Sequence, residues 1–205
     1  MGGSMVVHVF GAYYGLAASY FLQPGRATNS KNMRTSHPSQ LVACIGTIFL
    51  WMFWPSFNGA LASGAQQHRV IVNTVLAIVG SVMCAASIAR FYFGRLNMEI
   101  MLNATLAGGV AIGTNADLVT SPGVALLIGG LGGILSAVGF VKIGPYLLEK
   151  IGLHDTCGVN SLHGMPGILA ALISMVVIPT MKRNFPDDYL EITAAGGTYG
   201  HQSFA

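Results

Sequence analysis

The stretch Asp155-Thr-Cys-Gly-Val-Asn-Ser-Leu-His-Gly-Met-Pro-Gly167 carries a histidine, His163, into an apolar run that ends only at Met181. Such a run is long enough to cross a bilayer, whose hydrocarbon core of ~30 Å takes about 20 helical residues. An ionisable group inside it costs about 2.5–3.5 kcal/mol if charged, and such groups usually face a bundle interior or a water-filled cavity. His163 therefore predicts both a membrane helix and a neighbour that justifies the imidazole.

The rest of the chain agrees with that setting. Of its 205 residues, 53% are hydrophobic and only 8% charged, and the mean hydropathy is +0.61. A soluble domain carries roughly 25% charged residues. The composition predicts an all-α integral membrane protein embedded in a lipid bilayer. With 27 glycines, its helices are expected to approach closely at small residues. A formal net charge of +3, scattered along the chain, implies no nucleic-acid partner. Cys44, Cys84 and Cys157 have no metal-ligand spacing and read as reduced packing residues. No basic lead-in or small-residue cleavage site precedes the first apolar run at Met5, so no cleavable signal is expected, and the chain reads as one that opens inside a helix.

Six apolar runs are long enough to be spans, roughly 3–23, 40–63, 69–92, 98–117, 121–143 and 160–182. The fourth is the most polar, with Glu99, Asn103, Thr105, Asn115 and Asp117, and reads as a span buried in protein. The Asn-Ala-Thr sequon at Asn103 falls within it, so no glycan is expected. If loops 24–39, 93–97 and 144–159 share one side, that side carries Arg26, Lys31, Arg34, Arg90, Arg95, Lys142 and Lys150, against Arg69, Lys182 and Arg183 on the other. The excess puts those loops in the cytoplasm and the N-terminus and the tail 183–205 outside.

Parity then pairs two histidines. Spans one and six run in opposite directions, and each has a histidine near its start followed by small residues: His8-Val-Phe-Gly11-Ala12 and His163-Gly164-Met-Pro-Gly167. Inverted repeats leave this pattern around a site near the midplane. Neutral imidazole offers one donor and one acceptor nitrogen, so a stacked pair can bond to each other and leave outward nitrogens for a small permeant. The alternative is interhelical packing through a neutral imidazole. No His-Glu-x-x-His pattern or carboxylate set accompanies the histidines, which argues against a metal, and no nucleophile or carboxylate pair points to an enzyme or a cofactor. In span two, Trp51 and Phe53 read as an interfacial belt. Trp54 and Phe57, three apart around Pro55, share a face that could form a constriction. Gly11-x-x-x-Gly15, Gly109-x-x-x-Gly113 and Gly129-x-x-x-Gly133 read as packing within the subunit. Asp117 and Asp155 read as caps or loop anchors.

Four stretches carry a resemblance: residues 2–16, which open Gly2-Gly-Ser-Met-Val-Val-His8, then Phe49–Asn58, Asn103–Ala111 and Asp155–Gly167. The chain resembles the Rhesus-type ammonium transporters of the wider ammonium transporter superfamily, over about residues 1–182. The resemblance implies an eleven- to twelve-helix fold of inverted repeats, assembled as a homotrimer in the plasma membrane with one narrow apolar pore per subunit. His8 and His163 match the twin pore histidines, which hydrogen-bond each other, and Phe57 matches a gate phenylalanine at the external mouth. Asn58, Trp54 and Gly164 fall at pore-lining or supporting positions. The permeant would be ammonia, from ammonium deprotonated on entry, with carbon dioxide a secondary expectation. The six spans correspond to the fifth to tenth of the family, so the chain reads as a fragment. The alternative is a truncated or non-transporting subunit that associates with full-length proteins.

Overall fold

The computed structural model describes residues 1–23 and 35–184. Arg26, Lys31, Arg34 and the tail from 185 onward lie outside the described residues, so the orientation assigned to them stands only as an expectation. All regular structure among the described residues is helical: α1 (Phe10–Leu22), α2 (His37–Asn58), α3 (Gly64–Phe93), α4 (Met98–Ala104), α5 (Ala107–Gly113), α6 (Pro122–Val138), α7 (Gly144–Ile151) and α8 (Met165–Asn184). Short π-helical turns precede α1 (Ser4–Val9), α7 (Gly139–Ile143) and α8 (Asn160–Gly164).

Local chemistry sets the boundaries. A capping box starts α2: Ser36 Oγ accepts from Ser39 N at 3.3 Å, and Ser39 Oγ accepts from Ser36 N at 2.9 Å. Gly94, at φ 65°, ends α3 by donating its N–H to Arg90 O, the left-handed conformation glycine adopts without penalty. Asn97 Oδ1 accepts from Ile100 N at 3.1 Å and starts α4.

Five continuous helical stretches are long and apolar enough to cross a membrane: 4–22, 37–58, 64–93, 122–151 and 160–181. The six expected spans need correction in the detail of two. The fifth span does not stop at residue 143, since helix continues through Gly144 and Pro145 to Ile151, and the connecting loop begins only after α7. The π-turn just before Pro145 makes this possible, because a widened turn relieves the clash of a proline ring with the preceding carbonyls.

The fourth span is the other correction. Met98–Gly113 is a shorter apolar helix, interrupted at Thr105 and Leu106, where Leu106 N bonds back to Asn103 O at 3.1 Å. Ser81 Oγ donates to Ala104 O at 2.6 Å and so occupies the acceptor at the break, and a side chain inserted into the helix ladder is a recognised cause of a kink. Beyond Gly113 the chain turns through residues 114–119 while deeply buried. Side chains satisfy this backbone. Asn73 Nδ2 donates to Ala116 O at 2.8 Å and Val119 O at 2.7 Å, and Arg69 Nη1 to Asp117 O at 3.2 Å, while Asn115 Nδ2 ties the segment to α8 by donating to Ala170 O at 3.0 Å. Non-helical backbone is tolerated at membrane depth only where protein supplies such partners.

The core lies between α3, α5 and α6. Val70, Ala77, Ala111, Ile112 and Ala125 are fully inaccessible, and α3 meets α6 backbone to backbone. A Cβ on Gly129 would strike the Ala77 carbonyl, one on Gly80 the Leu126 carbonyl, and one on Gly133 the Ser81 carbonyl. Gly109 and Gly113 are likewise buried against neighbours. Gly11 and Gly15 differ: among the described residues a Cβ at either meets nothing within 4 Å. They lie on a face of α1 whose Phe10, Tyr14 and Phe21 are 68%, 69% and 81% exposed.

Candidate functional site

Both histidines sit on π-turns. Gly2 and Gly3, at φ 58° and 57°, fold the N-terminal residues back so that Val7 N and His8 N both donate to Gly3 O, at 2.9 and 3.1 Å. Space also demands glycine at position 2, where a Cβ would lie 2.5 Å from Asn58 Oδ1 and 2.6 Å from Gly113 Cα. Ser4, fully buried, pins the turn to α5: its Oγ donates to Val110 O at 2.7 Å and accepts from Thr114 N at 2.9 Å. That hydroxyl stands where a direct bond from Thr114 N to Val110 O would continue α5, so it ends the helix while fastening the His8 turn.

The second histidine is prepared in another way. Asp155 accepts from Val159 N through Oδ1 and from Asn160 N through Oδ2, both at 2.8 Å, anchoring the start of the turn that carries His163, as expected of this residue. Two glycines let the turns cross. A Cβ on Gly164 would lie 3.3 Å from Tyr13 Cζ and 3.4 Å from Ala12 Cβ, and one on Gly167 would lie 2.6 Å from Ser4 O. Any larger residue at 167 would drive the two π-turns apart.

At the crossing the imidazoles of His8 and His163 lie parallel, 2° between planes and 5.0 Å between centroids. Trp54 lies nearly parallel to both, 5.7 Å from His8 at 10° and 6.4 Å from His163 at 11°. Phe57 closes the cluster edge-on, 5.8 Å from His8 and 6.2 Å from Trp54, and is 47% exposed. His8 Nε2, His163 Nδ1 and Trp54 Nε1 are buried without a hydrogen-bond partner. The mutual bond between imidazoles that the resemblance implies is therefore not made at those two nitrogens. Leaving each unsatisfied costs about 1–3 kcal/mol, so such atoms call for a role.

The other sequence-selected residues fall around this cluster. Asn58, completely buried, donates from Nδ2 to Thr74 Oγ1 and Gly109 O, each at 3.1 Å, tying the end of α2 to α3 and α5. Trp51 does not stand in an interfacial belt alone, since its Nε1 donates to Thr105 Oγ1 at 3.4 Å. Among the described residues no group of three or more His, Cys, Asp or Glu could hold a metal. Sequence reasoning passed over Ser4, which lacked any signal beyond its place between Gly3 and Met5, and the individual role of Gly109 beneath Trp54.

A sequence model of the Ammonium Transporter Family matches residues 1–203. The chain is 45% identical to the ammonium transporter Rh type C of Oncorhynchus mykiss over 179 residues, covering 85% of this chain and 36% of that protein. It is 46% identical to the ammonium transporter Rh type A of Mus musculus over 181 residues, covering 86% of this chain and 41% of that protein. Among solved structures, Nitrosomonas europaea Rh50, described with the mechanism of conduction by the Rhesus protein family of channels, superposes with a TM-score of 0.83 at 37% identity, over 98% of this chain and 52% of that one. The chain thus spans less than half the length of these two curated relatives. Extent, identity and fold agree, and the chain belongs to the ammonium transporter family, among its Rh-type members.

Proposed function

We propose that this chain forms part of an ammonia/ammonium channel in which His8 and His163 line the conduction path, with Phe57 at its external mouth. The observation that carries the reading is the pair of parallel imidazoles, 5.0 Å apart, each with a buried nitrogen left unpartnered. A charged ammonium ion is costly to bring into an apolar passage. Neutral ammonia is not, and it can accept from one imidazole N–H and donate to a bare ring nitrogen. The proton released from ammonium stays on the entry side, and ammonia regains one on exit. Trp54 flanks the two rings, and Asn58 supports the wall through Gly109.

On this reading the intact protein is a homotrimer in the plasma membrane, and the segments 93–97 and 152–159 face the cytoplasm. Carbon dioxide is a second candidate permeant. A non-transporting role, in which the chain only associates with full-length subunits, is favoured by one observation, the exposed apolar face of α1. Ammonia flux into vesicles holding the purified chain separates the two readings. Flux above that of empty vesicles, lost in His163→Ala, supports conduction, whereas flux equal to empty vesicles supports association.

A further inference from the structure

We infer that Gly109 is a specificity-determining residue: lacking a side chain, it seats the Trp54 indole, and that seat sets the ring spacing through which permeants are sorted by size. This rests on the reading of His8 and His163 as walls of the path.

Gly109 lies in α5 under the indole. A Cβ there would be closest to Nε1, with Cδ1 at 2.6 Å and Cε2 at 2.7 Å. The flanking atoms are hardly farther away than Nε1 itself, whereas an approach in the ring plane would leave them much farther off, so the Cβ stands above Nε1 on the face of the indole rather than at its edge. Ordinary contact begins at 3.4 Å, and Nε1 is nearer still than the 2.6 Å of Cδ1, so something must yield by more than 0.8 Å. Gly109 itself is held: its carbonyl accepts from Asn58 Nδ2 at 3.1 Å, and Ala107, Val110 and Ala111 around it are completely buried. In a close-packed interior the displacement falls on the less constrained partner. Trp54 Nε1 has no hydrogen bond to hold it.

The direction of that displacement matters. A push on the indole face acts along its ring normal, and the two imidazoles share that normal to within 10° and 11°. A shift along that normal moves the indole relative to both imidazoles, whose centroids lie 5.7 and 6.4 Å from its own, rather than sliding it within its own plane. Ammonia is the smallest amine. Methylamine adds one methyl group, and a gap altered by most of an ångström discriminates against it first.

The test is the ratio of methylamine to ammonia flux in proteoliposomes of the full-length protein. Gly109→Ala is expected to lower this ratio at least fivefold. Trp54→Phe, which removes the pyrrole atoms the Cβ would strike, is expected to raise it at least threefold, and adding Gly109→Ala to Trp54→Phe should then change it less than twofold. A ratio within twofold of wild type in folded Gly109→Ala overturns the inference. So does an equal fivefold drop in the Trp54→Phe background, which would show that the indole is not the element displaced. If Gly109→Ala does not fold, Trp54→Phe alone decides, and an unchanged ratio overturns the inference. His163→Ala, measured alongside, reports separately on the conduction reading: unchanged ammonia flux there is a failure of that reading, not of the seat.

Discussion

Replacing Ser4 with alanine removes one oxygen and, with it, both hydrogen bonds by which Ser4 fastens the His8 turn to the end of α5. The hydroxyl is inaccessible to solvent, so neither Val110 O nor Thr114 N recovers its partner from bulk water. Each net hydrogen bond contributes about 0.5–1.5 kcal/mol, and a group left buried and unsatisfied costs about 1–3 kcal/mol. Relaxation offsets part of this, because Thr114 N can close directly onto Val110 O and extend α5 by one residue. A loss of about 2 kcal/mol follows, equivalent to roughly 4–8 °C in melting temperature for a chain of this size. Closing that bond would straighten the segment Ser4 now interrupts and release the turn carrying His8, so ammonia flux should fall with stability. Ser4→Cys controls for volume, since its thiol is nearly isosteric but a weak hydrogen-bonding group, and it should resemble alanine more than wild type. Thermal unfolding in detergent, followed by cysteine-independent tryptophan fluorescence, gives the stability, and stopped-flow on proteoliposomes gives the flux. An alanine variant within 0.5 kcal/mol of wild type, as surface substitutions usually are, and with undiminished flux would refute the assignment of Ser4 as the clasp.

Other consequences are as definite. Gly129→Ala places a methyl group against the Ala77 backbone; overpacking of about 1–3 kcal/mol outweighs the gain of about 1 kcal/mol in helix propensity, and Gly129→Leu should prevent folding, as recovery of monodisperse protein would show. Asp155→Ala removes both acceptors from Val159 N and Asn160 N and should cost about 0.5–2 kcal/mol while lowering flux. Asp155→Asn keeps one acceptor oxygen and should recover part of each.

Much of this architecture can be read from residue types alone. The scarcity of charge announces membrane helices, and the direction of successive spans pairs His8 with His163 before any geometry is known. The three-residue spacing of Trp54 and Phe57 places both on the cluster. What stays hidden is whatever depends on a partner distant in sequence. The break at Thr105 and Leu106 has no proline or glycine at its centre; Ser81, 23 residues earlier, occupies the carbonyl at that point. Gly11-x-x-x-Gly15 and Gly129-x-x-x-Gly133 are the same motif, yet among the described residues only the second meets another backbone, because spacing describes a face and not what covers it. The π-turns under both histidines leave only weak traces, in Gly2 and Gly3 before one and Asp155 before the other. Helix passes through Pro145 because the turn ahead of it is widened, a compensation that composition does not record.

The measurement that bears most directly on the central claim is ammonia entry into proteoliposomes holding wild type, His8→Ala, His163→Ala and the double variant, at equal protein density and with unfolding checked in each. If the two imidazoles form one element of the path, either single variant lowers flux at least tenfold and the double is no worse than the more damaged single, the non-additivity expected of groups in contact. Flux unchanged in all three variants, with the folded state intact, would contradict it.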